Sequence, residues 1–165
     1  MADQIPTGTA PASDQNAQEL VMQNIYVKDS SFEAPSGPNL QVAEWNPQFS
    51  LNMNTAGSTL AEAQHEVVLT ITLEAKVADK VAYLVEVKQG GLFMIRGYSE
   101  DDTRRVVGAF CPGVLFPYAR QSVSDLILRG GFPPFLLPPV NFDALYQQSL
   151  EQAARNAAAP QPAVN

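Results

Sequence analysis

Apolar and polar residues mostly alternate through the first half of the chain. Phe49, Leu51 and Met53 alternate with Ser50, Asn52 and Asn54, and Val67, Leu69, Ile71 and Leu73 alternate with Val68, Thr70, Thr72 and Glu74. Val81, Tyr83, Val85 and Val87 then alternate with Ala82, Leu84, Glu86 and Lys88. A period of two puts successive side chains on opposite faces of a strand. Short polar connections, such as Asp79-Lys80, join these runs and predict an antiparallel meander. Leu20–Val27 is rich in strand formers, and Lys28–Pro35 is expected to break it. Pro35, Gly37, Pro38 and Pro47 bracket an irregular segment that holds Leu40, Val42 and Trp45. Gly90-Gly91 is expected to bulge or bend the last strand.

The second half changes to steps of three and four. Ser99-Glu100-Asp101-Asp102 has the order of a capping box, a hydroxyl followed three residues later by a carboxylate. The helix it opens should run to Phe110, and Pro112 suits the first turn of a second helix. Leu115, Tyr118, Ala119, Ser122, Val123 and Leu126 share one side of that helix. Pro117 should kink or begin it, and Gly130-Gly131 should end it. Phe132–Val140 has four prolines in nine residues and reads as an extended connector. Asn141 can cap a last helix in which Phe142, Leu145, Tyr146, Ser149 and Ala153 share a face.

The chain of 165 residues suits one domain. Residues 1–16 read as a disordered N-terminal tail, 19–152 as the folded domain and 153–165 as an Ala/Pro-rich flexible tail whose alanines can extend the last helix. Leu, Ile, Val and Phe make up about a quarter of the chain, above the roughly one-fifth needed for a packed core. Charged residues are only 16% against a usual roughly 25%, and the net charge is −7. That sign excludes a nucleic-acid backbone or an anionic membrane surface as the main partner. Apolar runs stop at four or five residues, as at Leu92–Ile95, too short to span a bilayer. The N-terminus has no secretory-signal pattern. One cysteine, Cys111, and one histidine, His65, make neither a disulfide nor a zinc site. The reading is a soluble, reduced, intracellular protein.

The inventory for catalysis is poor. His65 lacks a visible partner, and Cys111 before a helix start is more plainly a buried thiol than a nucleophile. Arg104-Arg105 follow three acidic residues and read as a surface charge set. No phosphate loop or nucleophile elbow occurs. The richer signal is aromatic. Trp45, Phe132 and Phe135 stand in irregular segments, where they either close the core or line a groove for extended apolar peptide. The Val81–Gln89 strand is apolar on both faces, so one face could meet a partner. Leu84 beside Glu86 reads either as an acidic–apolar docking spot or as an ordinary exposed glutamate.

Four segments resemble the SecB family of bacterial protein-export chaperones. They are Ile25–Pro35 (IYVKDSSFEAP), Glu86–Phe93 (EVKQGGLF), Cys111–Arg120 (CPGVLFPYAR) and Leu137–Tyr146 (LPPVNFDALY). The resemblance covers about residues 19–152. It implies an α+β fold, a four-stranded antiparallel sheet with helices on one side, assembled as a homotetramer, a dimer of dimers. It implies a cytoplasmic holdase, not an enzyme, that uses no ATP, cofactor or metal and makes no membrane insertion. Such a protein holds unfolded secretory precursor proteins and passes them to the SecA motor, whose docking module carries its own zinc. Carried onto this sequence, the motor-binding residues are Asp29, Glu33, Leu84 and Glu86. The client groove is drawn from Trp45, Phe49, Leu51, Met53, Leu145 and Tyr146, and the tetramer-forming face from Val85, Val87 and Gln89. The C-terminal tail departs from the family in being Ala/Pro-rich rather than acidic, and the N-terminal tail is long. A chaperone of the same fold serving a toxin–antitoxin pair is the alternative, and an enzyme using Cys111 or His65 a distant third.

Overall fold

A computed structural model describes residues 17–37 and 45–158. Leu40 and Val42, expected in the irregular segment, and the tails 1–16 and 159–165 lie outside the described residues. Four strands form one antiparallel sheet: β1 (Glu19–Glu33), β2 (Gln48–Ala61), β3 (Gln64–Val77) and β4 (Lys80–Arg96). Their order is β1-β4-β3-β2. The consecutive strands β2, β3 and β4 make the expected meander. β1 joins it beside β4, which leaves β1 and β2 as the two edges.

Ala78 and Asp79 take positive φ angles of 47° and 62° in the β3–β4 turn. That is the geometry that matches hairpin twist, so two residues suffice there. The sheet's inner face holds the core. Val67, Leu69, Ile71 and Leu73 of β3 and Val85 and Val87 of β4 are all fully buried. Each such side chain contributes about 1.5–3 kcal/mol through burial.

β1 departs from expectation twice. It continues to Glu33 instead of ending at Val27, and it carries the irregularities expected of Gly90-Gly91. Its register against β4 shifts between Met22 and Asn24 and again between Val27 and Asp29. β4 keeps its register with β3 through Gly90 and Gly91. The two glycines serve close packing instead. A Cβ at Gly90 would meet the Tyr26 ring at 2.6 Å, and one at Gly91 would meet Phe93 at 2.6 Å and Leu115 at 2.8 Å.

The helices cover the inner face over β3, β4 and part of β1. α1 (Glu100–Arg105), a π-helical turn (Val106–Phe110) and α2 (Cys111–Arg129) form one continuous rod rather than two helices. The Ser99 hydroxyl caps it by accepting from the Asp102 N–H at 3.1 Å. The Cys111 N–H reaches back to the Val106 carbonyl. That wider turn precedes Pro112, which has no N–H to give, so the rod passes the proline without breaking. α2 buries Leu115, Ala119, Val123 and Ile127 against the sheet, at steps of four, while Tyr118 faces outward at 50% exposure. Gly131 at φ 81° ends the rod, as the sequence requires.

Phe132–Val140 is the extended connector, folded back over the aromatic end of the sheet. Buried Phe132 stands 5.0 Å from Tyr83, 5.7 Å from Trp45 and 6.1 Å from Phe32 between ring centres. α3 (Phe142–Ala158) follows, capped by the Asn141 side chain, which accepts from the Ala144 N–H at 3.0 Å. Residues 153–158, assigned from sequence to the flexible tail, are helical here, because alanine carries the highest helix propensity.

Candidate functional site

The two faces of the sheet offer different chemistry, and the register decides which side chain goes where. On the inner side, α2 does not extend over the Phe49–Leu51 stretch of β2, so these two remain 42% and 39% exposed. Phe49, Leu51 and Met53 pair with Ala75, Leu73 and Ile71 and share their face. Phe49 packs against Phe135 of the connector, ring centres 4.2 Å apart and tilted by 32°. Further along β2, a cavity of about 640 Å³ opens between Met53, Gly57, Val107 of the π turn and Phe142, Leu145 and Tyr146 of α3. The result is an apolar trough, walled by β2 on one side and by the connector and α3 on the other. Of the six groove candidates, Met53, Leu145 and Tyr146 line the cavity, and Phe49 and Leu51 extend its β2 wall. Trp45 is half-buried at the far end against Phe132 and packs on the core, the closing role left open for it.

Sequence reasoning missed how this trough is kept open. Gly57 has its missing Cβ filled by the Val107 side chain, and Gly108 leaves room for the Tyr146 ring, 2.6 Å from where its Cβ would stand. The π turn therefore lies close to both walls. The two partners, Val107 and Tyr146, lie far along the chain from Gly57 and Gly108, so local spacing gave no pattern to read. His65 also borders the cavity, its Nδ1 3.4 Å from the Thr59 hydroxyl.

The outer face of β1 and β4 carries the charges. Paired residues point the same way, so the register places Asp29 beside Lys88, Ser31 beside Glu86 and Glu33 beside Leu84. All four docking candidates thus stand on one surface. The Val27–Asp29 bulge is responsible. Without it, the alternation would turn Asp29 and Glu33 inward and Phe32 outward. Lys88, absent from the sequence-derived set, bridges Asp29 and Glu86 at 3.2 Å each. The Thr72 hydroxyl donates to the other Glu86 oxygen at 3.1 Å. Bonds to Asp29 and Glu86 hold the Lys88 ammonium above its ordinary pKa.

Beside this patch, the Tyr26 hydroxyl donates to Glu66, and Lys28 donates to both Glu66 oxygens at 2.9 and 2.8 Å. These bonds hold the Glu66 carboxyl below its usual range and push the Tyr26 phenol up to about 12.

The three residues assigned to a tetramer face lie on the inner side of β4. Val85 and Val87 are fully buried and Gln89 is 2% exposed, beneath α2. The Gln89 amide donates to the Tyr26 carbonyl at 2.8 Å. Within the chain these residues lie in the interior, because the alternation aims them at the helix. The residues of the same strand that do face outward are Leu84, Glu86 and Lys88.

Cys111 is buried, and burial pushes its thiol up to about 12, far from a working thiolate. Arg105 pairs with Asp143 at 3.0 Å, which ties α1 to α3, and Arg104 pairs with Asp101. Among the described residues no cluster of His, Cys, Asp and Glu could hold a metal ion, and no helix is long and apolar enough to cross a membrane.

The family model described as preprotein translocase subunit SecB matches residues 13–153. The chain belongs to the SecB family. Its relatives include the protein-export protein SecB of Nitrosococcus oceani, 50% identical over 85% of this chain and 87% of that one. The protein-export protein SecB of Ectopseudomonas mendocina is 47% identical over 96% and 99% of the two chains. Among solved structures, a SecB-like chaperone of Mycobacterium tuberculosis in complex with a peptide from the HigA1 antitoxin superposes with a TM-score of 0.62 at 16% identity. It covers 73% of this chain and 90% of that one. That likeness concerns the fold, the four-stranded sheet with its helices. SecB is a family of protein-export chaperones and not of enzymes, and this chain is one of them.

Proposed function

We propose that this chain is an ATP-independent holdase that keeps unfolded secretory precursors competent for export and hands them to the SecA motor in the cytoplasm. The observation that carries the reading is the open apolar trough along β2. A native protein hides the apolar side chains and strand edges that such a trough binds, so only non-native clients fit it. Phe49, Leu51, Met53, Leu145 and Tyr146 are the client contacts in this reading, with Trp45 fixing one end. Pocket filling by many interchangeable apolar side chains gives broad selection with little sequence choice.

Hand-over uses the opposite face. Asp29, Glu33 and Glu86, with Leu84 among them, suit a small module that presents Lys and Arg around an apolar contact. The separation of the two surfaces by the thickness of the sheet allows client and motor to be held together. Assembly as a dimer of dimers is supported by two unpaired sheet edges and by Phe110, Tyr118 and Leu128, each about half exposed along the rod.

The test is suppression of aggregation of a denatured secretory precursor, without nucleotide, followed by titration with the C-terminal module of SecA. Capture together with binding of the module supports the reading. Capture without any binding of the module would reassign the chain to a chaperone serving another system.

A further inference from the structure

Two of the three carboxylates on the docking face are already engaged by a cation of the chain itself. Lys88 Nζ stands 3.2 Å from Asp29 Oδ2 and 3.2 Å from Glu86 Oε1. The three side chains are 39%, 56% and 34% exposed, so the cluster is open to a ligand. Both contacts join neighbouring positions. Asp29 is directly opposite Lys88 in the β1–β4 register, and Glu86 lies two residues before it on the same face. Glu33, opposite Leu84, has no ion pair with a described residue.

We propose that Lys88 is a built-in competitor cation that sets both the affinity and the selectivity of this face. The proposal rests on the docking role given above to Asp29, Glu33 and Glu86. An incoming ammonium or guanidinium finds the two carboxylates partly neutralised, and it must displace Lys88 or share them with it. A ligand with a single positive charge exchanges one cation for another and gains little. A module that presents several Lys or Arg side chains around an apolar contact engages Glu33 and Leu84 at the same time, and so displaces Lys88 with net gain. The face therefore rejects isolated basic residues, which abound on unfolded clients, and retains a folded basic module.

Lys88→Gln supplies a simple test, since it leaves a polar, slightly shorter side chain on the strand and removes the charge. The parent, Lys88→Gln, Asp29→Lys and Glu86→Lys proteins are titrated with the C-terminal module of SecA and with a short lysine peptide, at low and high salt. Lys88→Gln should bind the module about two- to fivefold more tightly at low salt, the range of an exposed charge pair. It should bind the lysine peptide more tightly by a larger factor, so that selectivity for the module falls. Both gains should vanish near 1 M salt, where screening acts within about 3 Å. Client capture should stay at the parent's level.

Module binding that is unchanged or weaker in a folded Lys88→Gln protein overturns the proposal. If the two charge reversals still weaken the module in that case, the docking face stands and only the role of Lys88 falls. If none of the three variants alters binding, the docking reading fails and takes Lys88 with it.

Discussion

The ring of Tyr26 lies over Gly90, directly opposite it across the β1–β4 ladder, and its hydroxyl reaches past β4 to Glu66 on β3. One aromatic side chain thereby clamps three strands from the outer side, and it can do so only because residue 90 has no Cβ. The adjacent Gly91 performs the same service on the inner side, between Phe93 and Leu115. Gly90→Ala should displace the Tyr26 ring into solvent and cost about 1–2 kcal/mol, since the outer face can yield. Gly91→Ala pushes on a closed core and should cost about 3 kcal/mol or more. Urea unfolding midpoints of the two variants check the order. A Gly91→Ala protein as stable as Gly90→Ala would refute the packing account.

Stability should fall in alkali. The Tyr26 and Tyr83 phenols and the Cys111 thiol are each raised to about 12, from ordinary values of 10.0, 10.0 and 9.0. A raised pKa contributes stability in full below the unfolded value, and that contribution is lost as pH rises through the folded one. The fall should therefore begin near pH 9 and continue to about 12. On the acid side, Glu66 is lowered from 4.5, so its contribution is present above that value and is lost as pH drops. Tyr26→Phe should shrink both falls, and unfolding midpoints taken across the pH range measure this.

The Tyr83 hydroxyl is buried and has no hydrogen-bond partner among the described residues. Its ring packs on Phe32 and Phe132, at 5.8 and 5.0 Å. Tyr83→Phe keeps those contacts and removes an unpaired polar atom, so it should raise stability by about 1 kcal/mol. A melting temperature below that of the parent would show that the hydroxyl finds a partner in solution.

Client capture should depend on the two walls of the trough. Leu51 and Tyr146 are partly exposed there, and each has roughly 1 kcal/mol of further burial to gain from a bound client. The double variant Leu51→Ser, Tyr146→Ser should weaken binding of an unfolded protein about thirtyfold, with native mass unchanged. Aggregation suppression equal to the parent's would remove these residues from the groove.

Val87→Glu should fail to fold rather than yield a clean smaller oligomer. Val87 is fully buried beneath α2, and an uncompensated charge there costs several kcal/mol. Circular dichroism and native mass, measured together, separate the two outcomes. A folded dimer with parental helix content would return Val87 to an interface.

The alternation of Val67–Leu73 and Val81–Val87, the Ser99 and Asn141 caps, the terminating Gly131 and the proline-rich connector were all legible in the chain, because each depends on neighbours a few residues away. The four family-like segments added the function, and their relatives bear out the export-chaperone assignment. What could not be read was everything that depends on a partner far along the chain. The bulge between Val27 and Asp29 is set by pairing with β4, some sixty residues on, and it alone turns Asp29 and Glu33 outward. Gly57 and Gly108 look like weak points until Val107 and Tyr146 fill the space beside them. Val85 and Val87 share an apolar face, and it is α2 that buries them within the chain. Periodicity gives the two sides of a strand, but only the elements packed against it decide which side is core and which is surface.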